Sequence, residues 1–376
     1  YDNAKTNWTT VSRYDGLVIF LEDFELFGNV GQAQNFLESV KSGRFLLSFV
    51  MSYTETCEIP GITIAGPNSE SMKYTPPADA EYLHYGYCKT IDNIPMSPDG
   101  KPTPALLTKT ALESASIPHL TINAGSKITP QLPFIETGLS CGKNISVESA
   151  MTDSEVSNAV EFGRIVGRNM ASLTDCLVIG ESIPGGTTTA LAVLRAFDFN
   201  AKTSSSIPTN PIKLKNEVVN SALKRIDSDH PYSILAKVGD PMIAFVAGML
   251  SSASAVSKVM LAGGTQMTAV LAFASKIGFN EENTAIGTTS YITNDQNANF
   301  TNLVKQIADI PAISVNPGLN HSKHSGLKAF SEGFAKEGVG AGGSIISSML
   351  KTGNDSAKFL NLVEQEYDRL SNLSPS

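Results

Sequence analysis

The stretch Leu177-Val178-Ile179-Gly180-Glu181-Ser182-Ile183-Pro184-Gly185-Gly186-Thr187-Thr188-Thr189-Ala190 runs an apolar strand into a glycine turn and then into the start of a helix. Gly185 and Gly186 allow a ligand to approach the backbone with no Cβ in the way, and the free N–H groups of a helix's first turn point at whatever sits there. Three threonine hydroxyls add neutral donors. The loop has neither the Gly-Lys-Ser/Thr of a Walker site nor a G-x-G-x-x-G pattern. Two readings of it stand: an anion cradle built from Gly180, Gly185, Gly186, Thr187 and Thr188, or a strand-to-helix turn that is glycine-rich for geometry alone. Glu181 bears on the choice. A carboxylate beside a phosphate is electrostatically awkward unless the ligand also carries positive charge or hydroxyls, and a nucleotide with a cationic base does.

Working outward, short β-rich apolar runs recur between helical stretches, at Phe45 to Met51, His119 to Asn123, Cys176 to Ile179, Lys258 to Leu261, Thr288 to Ile292 and Ala312 to Val315. Such alternation predicts an α/β fold with an open, mainly parallel, Rossmann-like sheet flanked by helices. In sheets of this kind ligands bind beyond the carboxyl ends of the strands. The loops that follow the strands are therefore the ones to watch: Ile59 to Asn68, Ala124 to Lys127, Gly180 to Thr189, and Ala262 to Met267 with Gly263 and Gly264. Residues 41–326 are expected to form a large nucleotide-binding domain. Residues 1–40 and 327–376, with an amphipathic segment at Gln32 to Val40 and a largely helical tail, are expected to form a smaller, mainly helical unit. The segments Thr203 to Pro208 and Pro95 to Pro104 read as loops.

The composition of the 376 residues, 41% apolar and 17% charged, is that of a globular protein with a substantial core. A net charge of −8, with Lys213, Lys215, Lys224 and Lys237 scattered among acids, argues against a nucleic-acid partner. Four widely spaced cysteines (Cys57, Cys88, Cys141 and Cys176) without a C-x-x-C suggest reduced thiols and a cytoplasmic protein. The pairs His84/Cys88 and His321/His324 lack the partners of a zinc site, so no metal is expected. The longest apolar run, Met242 to Met260, is broken by serines, a glycine and Lys258; it reads as a buried helix followed by a strand, with no membrane partner.

Taken together, these loops resemble the nicotinate-nucleotide:dimethylbenzimidazole phosphoribosyltransferase family, in its archaeal and cyanobacterial branch. The resemblance runs through Pro60-Gly61-Ile62, Tyr74-Thr75-Pro76, Asp79-Ala80-Glu81-Tyr82-Leu83, Thr103-Pro104-Ala105-Leu106, Gly180 to Ala190, Ser204-Ser205-Ser206, Gly239-Asp240-Pro241-Met242, Ala262 to Met267, Ile286 to Thr289 and Lys336-Glu337-Gly338-Val339-Gly340-Ala341, and covers roughly residues 45 to 350. The chain departs from the bacterial pattern at two places. Gly-Glu-Ser-Ile-Pro-Gly-Gly stands where those members carry Gly-Glu-Met-Gly-Ile-Gly-Asn, and Gly239-Asp240-Pro241-Met242 stands where they carry Gly-Gly-x-Glu. Both departures bear on the accepting base more than on the phosphate.

The resemblance implies transfer of phosphoribose from nicotinate mononucleotide to a benzimidazole-type base, giving an α-ribazole phosphate for the cobalamin lower ligand, by a homodimer with no cofactor. Nicotinate departs as a neutral ring nitrogen, so no pyrophosphate calls for a metal. Glu337 is implied as the general base that takes the base's proton, with Gly338 and Gly340 leaving room for a flat ring. Read from the residues alone, Glu337 is an acid ahead of a helix N-terminus, where acids are favoured. Glu181 would steady the ribose or the charge at its anomeric carbon, and Lys213 could add charge at the phosphate. A catalytically weak nucleotide-binding or regulatory relative is the competing reading, motivated by the Asp240 departure. A dinucleotide-dependent oxidoreductase rests on the α/β pattern alone.

Overall fold

Ten strands form a single sheet in the computed structural model, which describes residues 8–13, 16–21, 23–66, 68–92, 96–97 and 100–373. The strands are β1 (Trp8–Arg13), β2 (Gly16–Leu21), β3 (Phe24–Gly28), β4 (Phe45–Met51), β5 (His119–Asn123), β6 (Ile135–Glu136), β7 (Cys176–Ser182), β8 (Lys258–Ala262), β9 (Thr284–Thr289) and β10 (Pro311–Val315). Their order across the sheet is β1-β2-β3-β10-β9-β8-β7-β4-β5-β6. From β10 to β6 all neighbours are parallel, whereas β3 runs antiparallel on β10 and carries the β1–β2 hairpin beyond it.

The strand sequences explain the layering. Every residue of β4 and β7 is buried, as befits parallel strands covered on both faces. Period-two alternation then divides them. Leu46, Val50, Leu177 and Ile179 face a core shared with the helices Gly186–Ala196, Pro241–Ala253 and Thr265–Ile277. Phe45, Leu47, Phe49, Met51, Cys176 and Val178 face the other, shared with Val30–Val40, Thr75–Tyr85, Ala105–Ala115 and Ala341–Thr352. Among the described residues, no helix is long and apolar enough to cross a membrane.

Chain order fixes where a ligand can sit. From β4 the chain moves outward to β5 and β6, then returns to lay β7 on the opposite side of β4 before continuing to β8, β9 and β10. Crossover connections diverge at the β4/β7 boundary, and in open sheets of this kind the ligand crevice lies beyond the carboxyl ends of the strands at such a point. In register there, Val50 pairs with Glu181 and Met51 with Ser182.

Two sequence expectations are corrected. The run expected as a strand at Thr288 to Ile292 is strand only to Thr289, and Ser290–Thr293 turns into a helix; the true strand begins earlier, at Thr284, and passes so close to the Ala341–Thr352 helix that a Cβ on Gly287 would stand 2.8 Å from Gly343 Cα. The N-terminal segment expected to be mainly helical supplies three strands besides its one helix, and alternate burial of Phe24 and Leu26 against the β10 side of the sheet is what makes β3 a strand. Residues 1–7, 14–15 and 22 of that segment, and residues 67, 95, 98 and 99 of the expected loops, lie outside the described residues.

The long helix Asp153–Ala171 packs on Pro241–Ala253 through glycines. A Cβ on Gly248 would stand 2.2 Å from the Val160 carbonyl oxygen, and one on Gly163 would stand 2.1 Å from that of Phe245. Because Pro241–Ala253 starts at Asp240 beside the crevice, this contact also positions the site. Gly248→Ala should destabilise the protein by about 1–3 kcal/mol through overpacking, read as a lowered urea midpoint with an unchanged slope; an unchanged midpoint would show that the helices can separate at no cost.

Candidate functional site

Two glutamates approached from different elements define the crevice floor. Glu181 lies near the end of β7 and is 2% exposed. Glu337 lies in the loop before the Ala341–Thr352 helix, with part of its side chain open and its carboxylate inside. The Val339 N–H donates to the Glu181 carbonyl at 2.8 Å, so the loop is sewn to the strand end. Closeness of the two backbones demands glycine at both places, since a Cβ on Gly180 would stand 2.7 Å from Gly340 Cα. Ala335 and Val339 hold positive φ, +44° and +56°, in a region that a β-branched residue rarely visits. Strain of that kind persists only where surrounding contacts enforce it.

The two carboxylates differ in their surroundings. Glu337 Oε1 accepts from the Gly338 and Gly342 N–H groups at 3.1 Å each, and Oε2 accepts from the Thr289 N–H at 2.9 Å and, at 3.4 Å, from the Thr288 hydroxyl. Three main-chain donors therefore orient it, and only a long hydroxyl contact holds its fourth lone-pair position. Burial raises its pKa to about 7, against the pull of those donors. Glu181 accepts from Gln266 Nε2 at 3.4 Å. Burial, and then the nearby carboxylates of Asp240 and Glu337, push it up to about 8.

Two further acids complete the cluster. Asp240 caps the Pro241–Ala253 helix by accepting from the Ile243 N–H at 2.9 Å and also accepts from the Thr189 hydroxyl at 2.5 Å. Asp79, from the Thr75–Tyr85 helix, accepts from the Ser182 and Thr103 hydroxyls at 2.8 and 2.9 Å. Burial raises both to about 6. None of the four acids makes an ion pair with a lysine or arginine among the described residues.

Cationic groups collect at another corner of the crevice, around loop 203–206. Lys215 is 1% exposed and donates from Nζ to the Ser204 carbonyl at 2.6 Å. Lys336 donates to the Gly333 carbonyl at 3.2 Å and pairs with Asp295 at 3.4 Å. Burial, followed by the charge of Lys336, lowers Lys215 to about 7. Loop 203–206 ties this corner to two helix N-termini: the Thr203 hydroxyl donates to the Thr187 carbonyl at 2.8 Å, and the Ser204 N–H donates to the Thr265 hydroxyl at 3.1 Å. Thr188, fully buried at the head of Gly186–Ala196, has a hydroxyl with no partner among the described residues.

The expected site residues are thus brought to one crevice, with changes of detail. Gly185 heads the Gly186–Ala196 helix at φ +75° against Cys57, and Gly186 lies against the Gln266 side chain. The Gly186 and Thr188 N–H groups already donate within the turn, to Ile183 and Gly185 carbonyls at 3.2 and 2.9 Å, so the cradle offers fewer free N–H donors than the sequence suggested. Gly263 and Gly264 lead into Thr265–Ile277, and a Cβ on Gly264 would lie 3.7 Å from Glu337 Cβ. Gly338, at φ +147°, faces Pro104. Lys213 is exposed, so the lysine of this helix that enters the site is Lys215. Its signal was legible: Lys215 shares the buried face of Ile212–Leu223 with Val218, Val219 and Ala222. His324 pairs with Asp368 on the C-terminal helix at 3.0 Å, and His321 is exposed beside Asn320.

Residues 119–291 match the phosphoribosyltransferase family model. The chain is 45% identical over 340 residues to a UPF0284 protein of Archaeoglobus fulgidus, covering 90% of this chain and 97% of that protein. It is 40% identical over 337 residues to one of Sulfurisphaera tokodaii, covering 88% and 95%. Among solved structures it is similar to CobT from Thermus thermophilus, with a TM-score of 0.58 at 16% identity, over 88% of this chain and 91% of that one. A nicotinate-nucleotide-dimethylbenzimidazole phosphoribosyltransferase structure from the same bacterium gives a TM-score of 0.59 at 15% identity, over 93% and 96%. At such identities the likeness is one of fold.

Four carboxyls raised from ordinary values of 3.8 and 4.5 to about 6, 6, 7 and 8 make the ligand-free protein pH-sensitive. The folded chain keeps protons that the unfolded chain has released, so this contribution is full below the unfolded values and is lost as pH rises through the folded ones. Thermal midpoints should fall as pH rises from about 5 to about 7. Glu181→Gln should flatten the fall and raise the midpoint at neutral pH; an equally steep fall in that variant would remove Glu181 from the cluster's energetics.

Proposed function

The chain belongs to the UPF0284 family, and on that footing we propose that it transfers the phosphoribosyl group of nicotinate mononucleotide to a benzimidazole-type base. The observation that carries this reading is the charge layout of the crevice: buried carboxylates around Glu181 and Glu337 with no paired cation among the described residues, and buried lysines at the corner by loop 203–206. Nicotinate mononucleotide has a matching layout at its reacting centre, a positive pyridinium nitrogen bound to C1′, in a ring that also bears a carboxylate, and a phosphate at the other end of the ribose.

In this reading the 5′-phosphate lies between Lys215, Lys336, loop 203–206 and the heads of Gly186–Ala196 and Thr265–Ile277, where helix dipoles favour an anion. Thr188 donates its otherwise unused hydroxyl. Glu181 stands where positive charge grows on the ribose as the C1′–N bond to nicotinate breaks, and the bonding pair returns to the pyridine ring, which leaves neutral at nitrogen. A nitrogen of the incoming base forms the new bond to C1′ from the opposite face, giving the α-linked product. The attacking nitrogen is the unprotonated one, and the N–H proton of the other ring nitrogen passes to Glu337 Oε2, the oxygen whose second position only the Thr288 hydroxyl shares. A carboxylate with a pKa of about 7 suits that transfer at neutral pH. The Asp240 departure, which motivated a non-catalytic relative, has a structural account as a helix cap. We place the enzyme in the cytoplasm as a homodimer, in keeping with four free cysteines among the described residues and with the family it resembles.

Incubation with nicotinate mononucleotide and a panel of benzimidazoles should release nicotinate and yield an α-linked nucleotide of matching mass; binding of the nucleotide without either product would leave only the binding reading. Glu337→Gln should cut turnover by roughly 10²–10⁴-fold and abolish the rise in rate through about pH 7. An amide also turns an N–H toward main-chain donors, so this variant should lose about 1–3 kcal/mol of stability, and its rate should be read on protein verified as folded. Near-normal turnover would show the wrong base has been named. Lys215→Met should weaken nicotinate mononucleotide binding by about 10- to 100-fold, the worth of a charge-assisted contact, while leaving affinity for the dephosphorylated nucleoside in place; equal losses for both would move the phosphate elsewhere.

A further inference from the structure

Asp79 has no part in the transfer described above, yet it is held at the site from two sides. Its side chain is 3% exposed. Oδ2 accepts from the hydroxyl of Ser182, the residue after Glu181, and Oδ1 accepts from that of Thr103. Thr103 precedes Pro104, whose ring lies 3.5 Å from where a Cβ on Gly338 would stand, and Gly338 follows Glu337. The carboxylate therefore lies between the neighbours of both glutamates, one link from Ser182 and, through Thr103 and Pro104, beside Gly338.

Two neutral hydroxyls occupy half of the roughly four acceptor positions of a carboxylate, and no lysine or arginine pairs with it among the described residues. A helix tie alone would be made as well by asparagine, whose amide oxygen accepts from a hydroxyl, without the cost of burying an ionisable group. Resting on the function proposed above, we infer that Asp79 is a specificity-determining residue, and that the acceptor is a benzimidazole-type base bearing a hydrogen-bond donor, a hydroxyl or an amino group, on its six-membered ring. With a carboxyl raised only to about 6 the side chain is an anion at neutral pH, able to accept from that donor and unable to donate in return. A methyl or ether group in the same place would face a buried anion with only its two hydroxyl partners, and sites of this sort discriminate strongly against analogues that lack the donor. The departure at Ser182, where bacterial relatives carry methionine, fits the same account, because its hydroxyl holds Asp79.

The test compares kcat/KM of the unaltered protein for benzimidazoles carrying a 5-hydroxyl or a 5-methoxyl, which are similar in shape and differ in the donor. The hydroxylated base should lead by at least roughly tenfold. In Asp79→Asn that ratio should fall at least roughly tenfold, the KM for the base carrying the change, while Thr103→Val, which keeps the carboxylate, should retain most of the preference. Equal kcat/KM for the two bases in the unaltered protein would overturn the inference whatever the variants do, and so would a preference that survives Asp79→Asn. If no base at all yields a nucleotide, it is the reading of the function that fails, and the inference falls with it; the two failures are told apart by whether the unsubstituted benzimidazole is converted.

Discussion

The 2.8 Å hydrogen bond from the Val339 N–H to the Glu181 carbonyl is the contact on which the site depends. It joins the carboxyl end of a central strand to a loop far along the chain, and beside it Gly180 and Gly340 touch backbone to backbone. Without that approach, Glu181 and Glu337 would belong to separate surfaces. With it, the backbone of each residue orients the other's neighbour, and the two carboxylates come close enough for one to raise the pKa of the other. Thr108 adds a second tie by donating its hydroxyl to the Val339 carbonyl at 3.0 Å, so both main-chain groups of a left-handed valine are held. Holding Val339 from both sides is how the fold maintains a conformation the residue disfavours.

Sheet topology supplies the place, and burial supplies the chemistry. At the β4/β7 boundary the crossovers diverge and leave the strand ends uncovered by their own connections. The loops that enter this opening carry acids that water would ordinarily keep ionised at modest cost. Once inside, each acid loses that solvation, and hydroxyls and amides return only part of it. The Glu337 oxygens receive three main-chain N–H groups, which keeps its shift smaller than that of Glu181, whose carboxylate has the Ile183 main chain and one long amide contact against the charge of other acids. Different donors thus separate the two glutamates into an oriented group and a solvent-starved one, and such a separation is what assigns different roles to like residues in one site.

Much of this was legible in the amino-acid sequence because it rests on periodicity and glycine. The runs at Phe45 to Met51 and His119 to Asn123 are strands over those residues, since the interior of a parallel sheet favours short apolar runs with sharp ends. The helix-then-strand reading of Met242 to Met260 holds for the same reason. What escaped depends on pairing across distance. Phe24–Gly28 is too short and too polar on one face to announce itself as a strand until β10 is beside it. Thr288 to Ile292 has strand-forming residues, but the Thr289 N–H is taken by Glu337 and the chain turns away. Lys213 and Lys215 look alike in composition, and only the buried helical face distinguishes them. Asp79 and Asp240 entered the sequence reading only as members of motifs, without a role of their own, because the residues that hold them, Ser182, Thr103 and Thr189, come from other elements.

The net charge of −8 conceals the feature that matters, which is how charge is distributed inside the crevice. Lys336 pairs with the buried carboxylate of Asp295 while Lys215 donates to a carbonyl, so that corner has one cation more than Asp295 can neutralise, and burial together with the charge of Lys336 lowers the pKa of Lys215. The acid cluster has the opposite imbalance, and burial without a paired cation raises its pKa values. On the function proposed above, a nucleotide would relieve both at once: its phosphate would allow Lys215 to hold its proton, and the positive charge at the glycosidic nitrogen and C1′ would allow the glutamates to release theirs. Proton uptake at one end and proton release at the other then leave the net exchange with solvent small, while each charge finds a buried partner. On the function proposed above, a ligand with only one of the two charges would leave one excess in place, and the crevice would favour a nucleotide that carries both.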